Sequence, residues 1–224
     1  MFTLDQVVPW GRSFEEYRQM FALTDADLRR SILGCGDGPA SFNTEATRRG
    51  TRVVSFDPLY RYDASEIRER IAATSEQVLE QTRQNAGEFV WDTVSSVEQL
   101  GTMRMAAMQA FLDDYDTGRR QGRYVEAELP GLPCADASFD LALCSHLLFL
   151  YTAQLDEVFH QAAAIELRRV AREVRIFPLL ALGGRPSPYV EGVADAARRR
   201  GHDVAIEVVP YEFQRGGNQM MRIR

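Results

Sequence analysis

The feature that most restricts the fold lies near the start of the chain, where an apolar run, a glycine cluster and a helical stretch follow one another within residues 30–56. Arg30 to Gly34 reads as a brief buried strand running into Gly34-Cys35-Gly36-Asp37-Gly38. Pro39 to Arg49 reads as a helix. Pro39 suits the first helical position, where a missing N–H is no loss, and Gly50 supplies the stop. Thr51 to Phe56 (TRVVSF) is β-branched and apolar, a second strand ending at Asp57-Pro58. Strand, glycine turn, helix, strand is a βαβ unit. It commits its two strands to parallel pairing with a right-handed crossover.

The rest of the chain extends this alternation, with one interruption. A short helix, about Ser13 to Leu23, precedes the first strand. Leu59 to Gly122 is about two helices long where a simple crossover needs one. Ile67, Ile71, Val78 and Leu79 share one helical face, and Leu100, Met103, Ala107, Ala110 and Phe111 share another. Phe89-Val90-Trp91 lies between them, and the glycines at 118 and 122 end the segment. It reads as a helical insertion over one end of the sheet. Tyr124 to Leu129 and Phe139 to Cys144 are then strands, followed by an amphipathic helix carrying Leu155, Val158, Phe159, Ala162 and Ile165 to about Arg172. Val174 to Leu180 is a strand, Pro188 to Arg200 a helix, and Val204 to Val209 a strand. Gly216-Gly217-Asn218 turns the chain into a last strand, Gln219 to Arg224, so the sheet closes with an antiparallel hairpin. The expected architecture is a three-layer α/β sandwich forming a single domain over residues 1–224.

The glycine run also carries chemistry. A bare backbone there allows close approach of a ligand, with helix N–H groups aimed at it. Asp57 follows Gly38 by 19 residues, at the end of the next strand. A carboxylate so placed can accept from both hydroxyls of a ribose, as in dinucleotide sites at about 20 residues on. The dinucleotide fingerprint itself fails, because the position for its third glycine holds Pro39 or Ser41, depending on where the count begins. The spacing suits a nucleoside ligand without phosphate.

The run ILGCGDGPASF, the acid at Asp57 and the later run LPCADASFDLALCSHLLFLY together resemble class I S-adenosylmethionine-dependent methyltransferases. The resemblance covers the strands across most of the chain and leaves out the insertion at 59–122. It implies seven strands with the last antiparallel, and S-adenosylmethionine as cofactor. Gly34, Gly36 and Gly38, with Cys35 and Asp37 between them, match the glycine loop under the methionine and ribose. Asp57, followed by Pro58, matches the ribose acid. Glu128 and Leu129 match the adenine-contacting position. Ser145 and His146 match the segment facing cofactor and substrate. The family commonly carries an acid two positions before the first glycine, and Ile32 stands there. Tyr17 and Arg12 are candidates to replace that contact at the amino-acid end of the cofactor, since an arginine can hold a carboxylate.

The activity implied is transfer of a methyl group to an unidentified, small-molecule acceptor. The alternative is a non-catalytic protein of the same fold that binds S-adenosylmethionine or S-adenosylhomocysteine. No catalytic residue is assigned, although His146 is a candidate general base. The methionines at 103, 105 and 108, with Phe89 and Trp91, are equally an adaptable substrate wall or the contact between two packed helices.

Composition narrows the classes further. The 224 residues hold 32 acidic and 26 basic side chains, a net charge of -6, and every basic residue is arginine. Without lysine, a P-loop ATPase and Schiff-base chemistry drop out. The acidic balance argues against a nucleic-acid partner. Cys35, Cys134 and Cys144 have neither disulfide-framework nor zinc spacing, so no metal is expected. No signal-like opening and no membrane-length apolar run are read, and a cytoplasmic protein is expected. Oligomeric state is left open.

Overall fold

Strand β1, Ser31–Cys35, is buried from Ile32 onward and lies between parallel neighbours β2 (Arg52–Phe56) and β4 (Leu141–Ser145). The other strands are β3 (Tyr124–Val125), β5 (Val174–Phe177), β6 (Val204–Val208) and β7 (Gln219–Ile223). In this computed structural model, which describes residues 2–4 and 6–224, the strands form one seven-stranded sheet ordered β3-β2-β1-β4-β5-β7-β6. Strand β7 runs antiparallel to both β5 and β6, and the other pairings are parallel. The mostly parallel seven-stranded sheet and its terminal hairpin are therefore as the sequence implies. Strand order reverses between β1 and β4, which opens a crevice beyond the carboxyl ends of those strands.

Six helices complete the layers: α1 (Phe14–Met20), α2 (Phe42–Arg48), α3 (Ala64–Gln84), α4 (Val97–Arg120), α5 (Glu157–Val170) and α6 (Val190–Arg198). The strands sort their side chains with period two. Ile32, Leu141, Leu143 and Met220 join Phe14, Tyr17 and Phe42 on the α1–α2 face. Leu33, Cys35, Ala142, Cys144 and Met221 join Leu167 and Val193 on the α5–α6 face. Among the described residues no helix is long and apolar enough to cross a membrane.

The structure departs from the sequence reading in several places. Helix α2 begins at Phe42, so Pro39 is not its first residue. The Ser41 N–H donates to the Arg12 carbonyl at 3.0 Å, and Gly11 lies so close that a Cβ there would sit 2.1 Å from the Pro39 oxygen. That contact holds residues 39–41 as a loop. Strand β3 stops at Val125 rather than Leu129, because β2 turns away at Asp57 and Pro58 has no N–H to continue the ladder. The two helices of the 59–122 crossover also differ in role. Helix α4 lies in the layer beside α2 and touches β3, whereas α3 presents Thr74, Val78 and Thr82 to the crevice. Gly118 lies inside α4 and ends nothing: it lets the helix approach the Tyr124 ring, and the chain turns at Gly122 with φ +72°.

The layers are tied together at Glu16 on α1. Its carboxylate accepts from the Ser13 amide at 2.9 Å, completing a capping box, and from the Tyr211 hydroxyl at 3.0 Å. It also takes the guanidinium of Arg104 from α4, which is 1% exposed. Burial pushes the Glu16 carboxyl up, but the Arg104 charge and hydrogen bonds outweigh it and hold it at about 2, below the ordinary 4.5. This stabilisation is complete above about pH 4.5 and is lost as pH falls toward 2. Glu16→Gln leaves Arg104 buried without its countercharge, and we expect a loss of about 3–5 kcal/mol at pH 7. In urea titrations the variant should also lack the part of the acid sensitivity between pH 4.5 and 2 that Glu16 supplies. A variant as stable as the parent at pH 7 would contradict this account.

Candidate ligand-binding site

The loop after β1 is shaped by one buried carboxylate. Asp37 folds back beneath the strand, where it accepts from the Tyr17 hydroxyl at 2.8 Å and the Ser55 hydroxyl at 2.7 Å. Gly34 makes this possible, since a Cβ on it would lie 1.8 Å from the Asp37 Oδ2. Gly34 therefore houses Asp37, and its neighbours from Cys35 to Gly38 line the crevice. Gly38 has φ +52° and no atom within 4 Å of where its Cβ would be. It leaves open space above the loop.

Asp57 faces that space from the end of β2. One of its oxygens accepts from the Gly38 amide at 2.8 Å, and the other from the Leu59 amide at 2.8 Å. Each oxygen keeps a lone pair for a further donor. Around this pair lies a cavity of about 680 Å³, within the usual range for small-molecule sites. Cys35, Gly36, Asp37 and Gly38 form its floor, with Asp57 and Pro58 beside them and Tyr17 behind. Glu128 and Leu129 line it after β3, Ser145 at the end of β4 and His146 just beyond it. The sequence-derived site residues are thus brought to one cavity, with Gly34 the exception.

The remaining walls come from segments that the motifs did not mark. Phe2, Leu4, Val8 and Trp10 line the cavity from the chain start, and Tyr211 and Phe213 from the β6–β7 connection. The rings of Phe89 and Phe213 stack at 4.9 Å, and the Val90 N–H donates to the Phe213 carbonyl, joining the α3–α4 connection to that loop. The methionines do not form a wall: Met108 is buried between α3 and α4, and Met105 is 43% exposed. Arg104 lines the cavity as well. Its place between Leu100 and Ala107 on the apolar stripe of α4 was the available signal.

Burial sets the electrostatics. It raises the Asp37 carboxyl to about 6, against the opposing hydrogen bonds from Ser55 and Tyr17. It raises Asp57 too, partly offset by the Leu59 and Gly38 amides. His146 is pushed well below its ordinary value, first by burial and then by the positive charges of Arg12 and Arg104, so its ring is neutral at pH 7. The His146 Nδ1 shares a hydrogen bond of 2.9 Å with the Ser145 hydroxyl.

No family model matches the chain. The uncharacterized protein MJ0045 of Methanocaldococcus jannaschii is 32% identical over 222 residues, spanning 99% of this chain and 97% of that protein. The chain belongs to that protein's family. Among solved structures, a SAM-dependent methyltransferase from Aquifex aeolicus is 12% identical, with 94% of this chain and 87% of that one covered and a TM-score of 0.44. Magnesium protoporphyrin IX methyltransferase (ChlM) from Synechocystis PCC 6803 gives 11%, 94%, 89% and 0.46 in the same order. The pyocyanin biosynthetic protein PhzM gives 16% identity and a TM-score of 0.45, with 94% of this chain covered, and the chain spans about half of its length, 53%. Likeness at this level is silent on chemistry.

Two outcomes follow from the two carboxylates. Asp57→Ala removes acceptors from the Gly38 and Leu59 amides, so it should lower stability by about 1 kcal/mol as well as weaken an adenosine ligand by about 1–3 kcal/mol. Calorimetry with S-adenosylhomocysteine beside thermal unfolding separates the two effects, and unchanged affinity would remove Asp57 from the site. For Asp37, the folded chain holds a proton more tightly than the unfolded chain between pH 3.8 and about 6, so its carboxylate is destabilising above that window. Asp37→Asn should therefore raise the stability of the ligand-free protein by roughly 1–3 kcal/mol at pH 7.5, a gain that fades as pH falls through 6 toward 4. A less stable variant at pH 7.5 would contradict the penalty.

Proposed function

We propose that this chain binds S-adenosylmethionine in the crevice beyond β1, β2 and β4 and transfers its methyl group to a small-molecule acceptor. The observation that carries the reading is the facing pair of Gly38 and Asp57. An open glycine backbone and a carboxylate with free lone pairs bound the same space. That combination fits a nucleoside.

The residues present also fit the rest of such a ligand. Asp57 would accept the ribose hydroxyls, Glu128 and Leu129 would flank the adenine, and the loop at Cys35 to Gly38 would lie under the amino-acid arm. The Asp37 carboxylate, on the cavity floor, supplies the acid that the Ile32 position lacks. An ammonium beside it would relieve its burial penalty and draw its pKa down. Tyr17 would act through Asp37, by fixing its carboxylate.

The bound sulfonium supplies an activated methyl group. The chain's own task is alignment and exclusion of water. Helix α3 and residues 2, 4 and 6–10 would cover the acceptor side, and the whole chain would work as one domain with α3 as its cover. His146 is neutral and its Nε2 has no protein partner among the described residues. It can take the proton that an acceptor O–H or N–H gives up.

Calorimetry with S-adenosylmethionine, S-adenosylhomocysteine and NAD tests the reading, followed by incubation of a methyl-labelled donor with fractionated metabolites. Micromolar binding of both sulfur nucleosides, none of NAD, and label in a small product are expected. NAD bound in their place would overturn the assignment. Tight donor binding without transfer to any fraction would leave a binding protein rather than an enzyme.

A further inference from the structure

The cavity carries both signs of charge. Its lining holds the carboxylates of Asp37 and Asp57 and also the guanidiniums of Arg12 and Arg104, with the Tyr211 hydroxyl beside Arg104. The guanidiniums have one carboxylate between them. Glu16 neutralises Arg104 from behind and does not itself line the cavity. Among the described residues Arg12 forms no ion pair, and its side chain makes one hydrogen bond, from Nη1 to the Trp10 carbonyl at 3.1 Å. The Nε atoms of Arg12 and Arg104 are both buried and unpartnered. A charged group removed from water without a countercharge is costly, and such a group at a cavity wall is met by an anionic ligand.

We propose that the cavity wall at Arg12 is an anion subsite that selects an acceptor bearing a carboxylate on an apolar, ring-sized body. The inference rests on the reading of the cavity as a methyl-transfer site and names the class of its acceptor. Trp10 and Arg12 bring an apolar wall and a free guanidinium together, and Phe2, Leu4, Leu150 and Phe213 continue that wall. The fork of an arginine suits a carboxylate. The positive field is felt by His146, whose ring is held neutral by burial and by these same two arginines. An acceptor carboxylate would cancel part of that field and make the neighbouring imidazole a better proton acceptor.

The test is calorimetry on the full chain saturated with S-adenosylhomocysteine, using 1-naphthoate and its neutral counterpart 1-naphthamide as probes. Naphthoate should bind at least tenfold tighter than the amide. Arg12→Gln should remove that preference while S-adenosylhomocysteine binds as before. Equal binding of the two probes, or binding of neither, overturns the subsite, and this comparison in the parent chain does not depend on a variant folding. A second result also overturns it. If Arg12→Gln weakens S-adenosylhomocysteine tenfold yet leaves 5′-methylthioadenosine, which has no carboxylate, unchanged, the guanidinium serves the donor's own carboxylate. Preference for naphthoate in a parent chain that binds no S-adenosylhomocysteine would uphold the anion subsite and refute the methyl-donor reading instead.

Discussion

The organisation of this molecule depends on one carboxylate, that of Glu16. It caps its own helix through Ser13, takes the buried guanidinium of Arg104 from the crossover, and accepts from Tyr211 near the end of the chain. A charge at that depth is tolerated because donors from Ser13, Tyr211 and Arg104 converge on it. The consequence is mechanical as well as electrostatic. Helix α4 cannot drift from the sheet without exposing a guanidinium to an apolar interior, so the cavity wall at Arg104 keeps a fixed distance from its floor.

The same logic distributes charge around the cavity. Asp37 and Asp57 sit on the floor with hydroxyl and amide donors, and no cation pairs with either. Arg12 lines the same cavity with no ion-pair partner among the described residues. Each set is electrostatically incomplete, in opposite senses. A ligand with separated positive and negative groups is therefore oriented by the walls before any close contact forms, which is the kind of alignment a displacement at carbon requires.

Much of this was legible in the sequence. Short apolar and β-branched runs ended by glycine or proline placed the strands to within a few residues, and the glycine run with Asp57 marked the floor. The beginning of α2 was not legible, because it depends on Gly11 and Arg12 pressing against residues 39–41. The service of Gly34 to Asp37 was not legible, because its smallness accommodates a side chain three residues on, a contact with no periodic signature. The anionic and cationic groups were separated by chain distance: Glu16 meets Arg104 across 88 positions and Tyr211 across 195. Only Arg104 carried a local sign, a cation on an apolar helical stripe.

One feature of the walls reaches beyond the site. The cavity is bounded by Phe2 at one extreme and Gly217 at the other, with the crossover between them. Whatever fills it acts as a non-covalent cross-link joining the chain's extremities to its middle. Occupancy is therefore registered by the whole molecule as resistance to unfolding, in proportion to the logarithm of ligand concentration over its dissociation constant. The protein reports on its own physiological ligand through its melting behaviour, whatever that ligand proves to be.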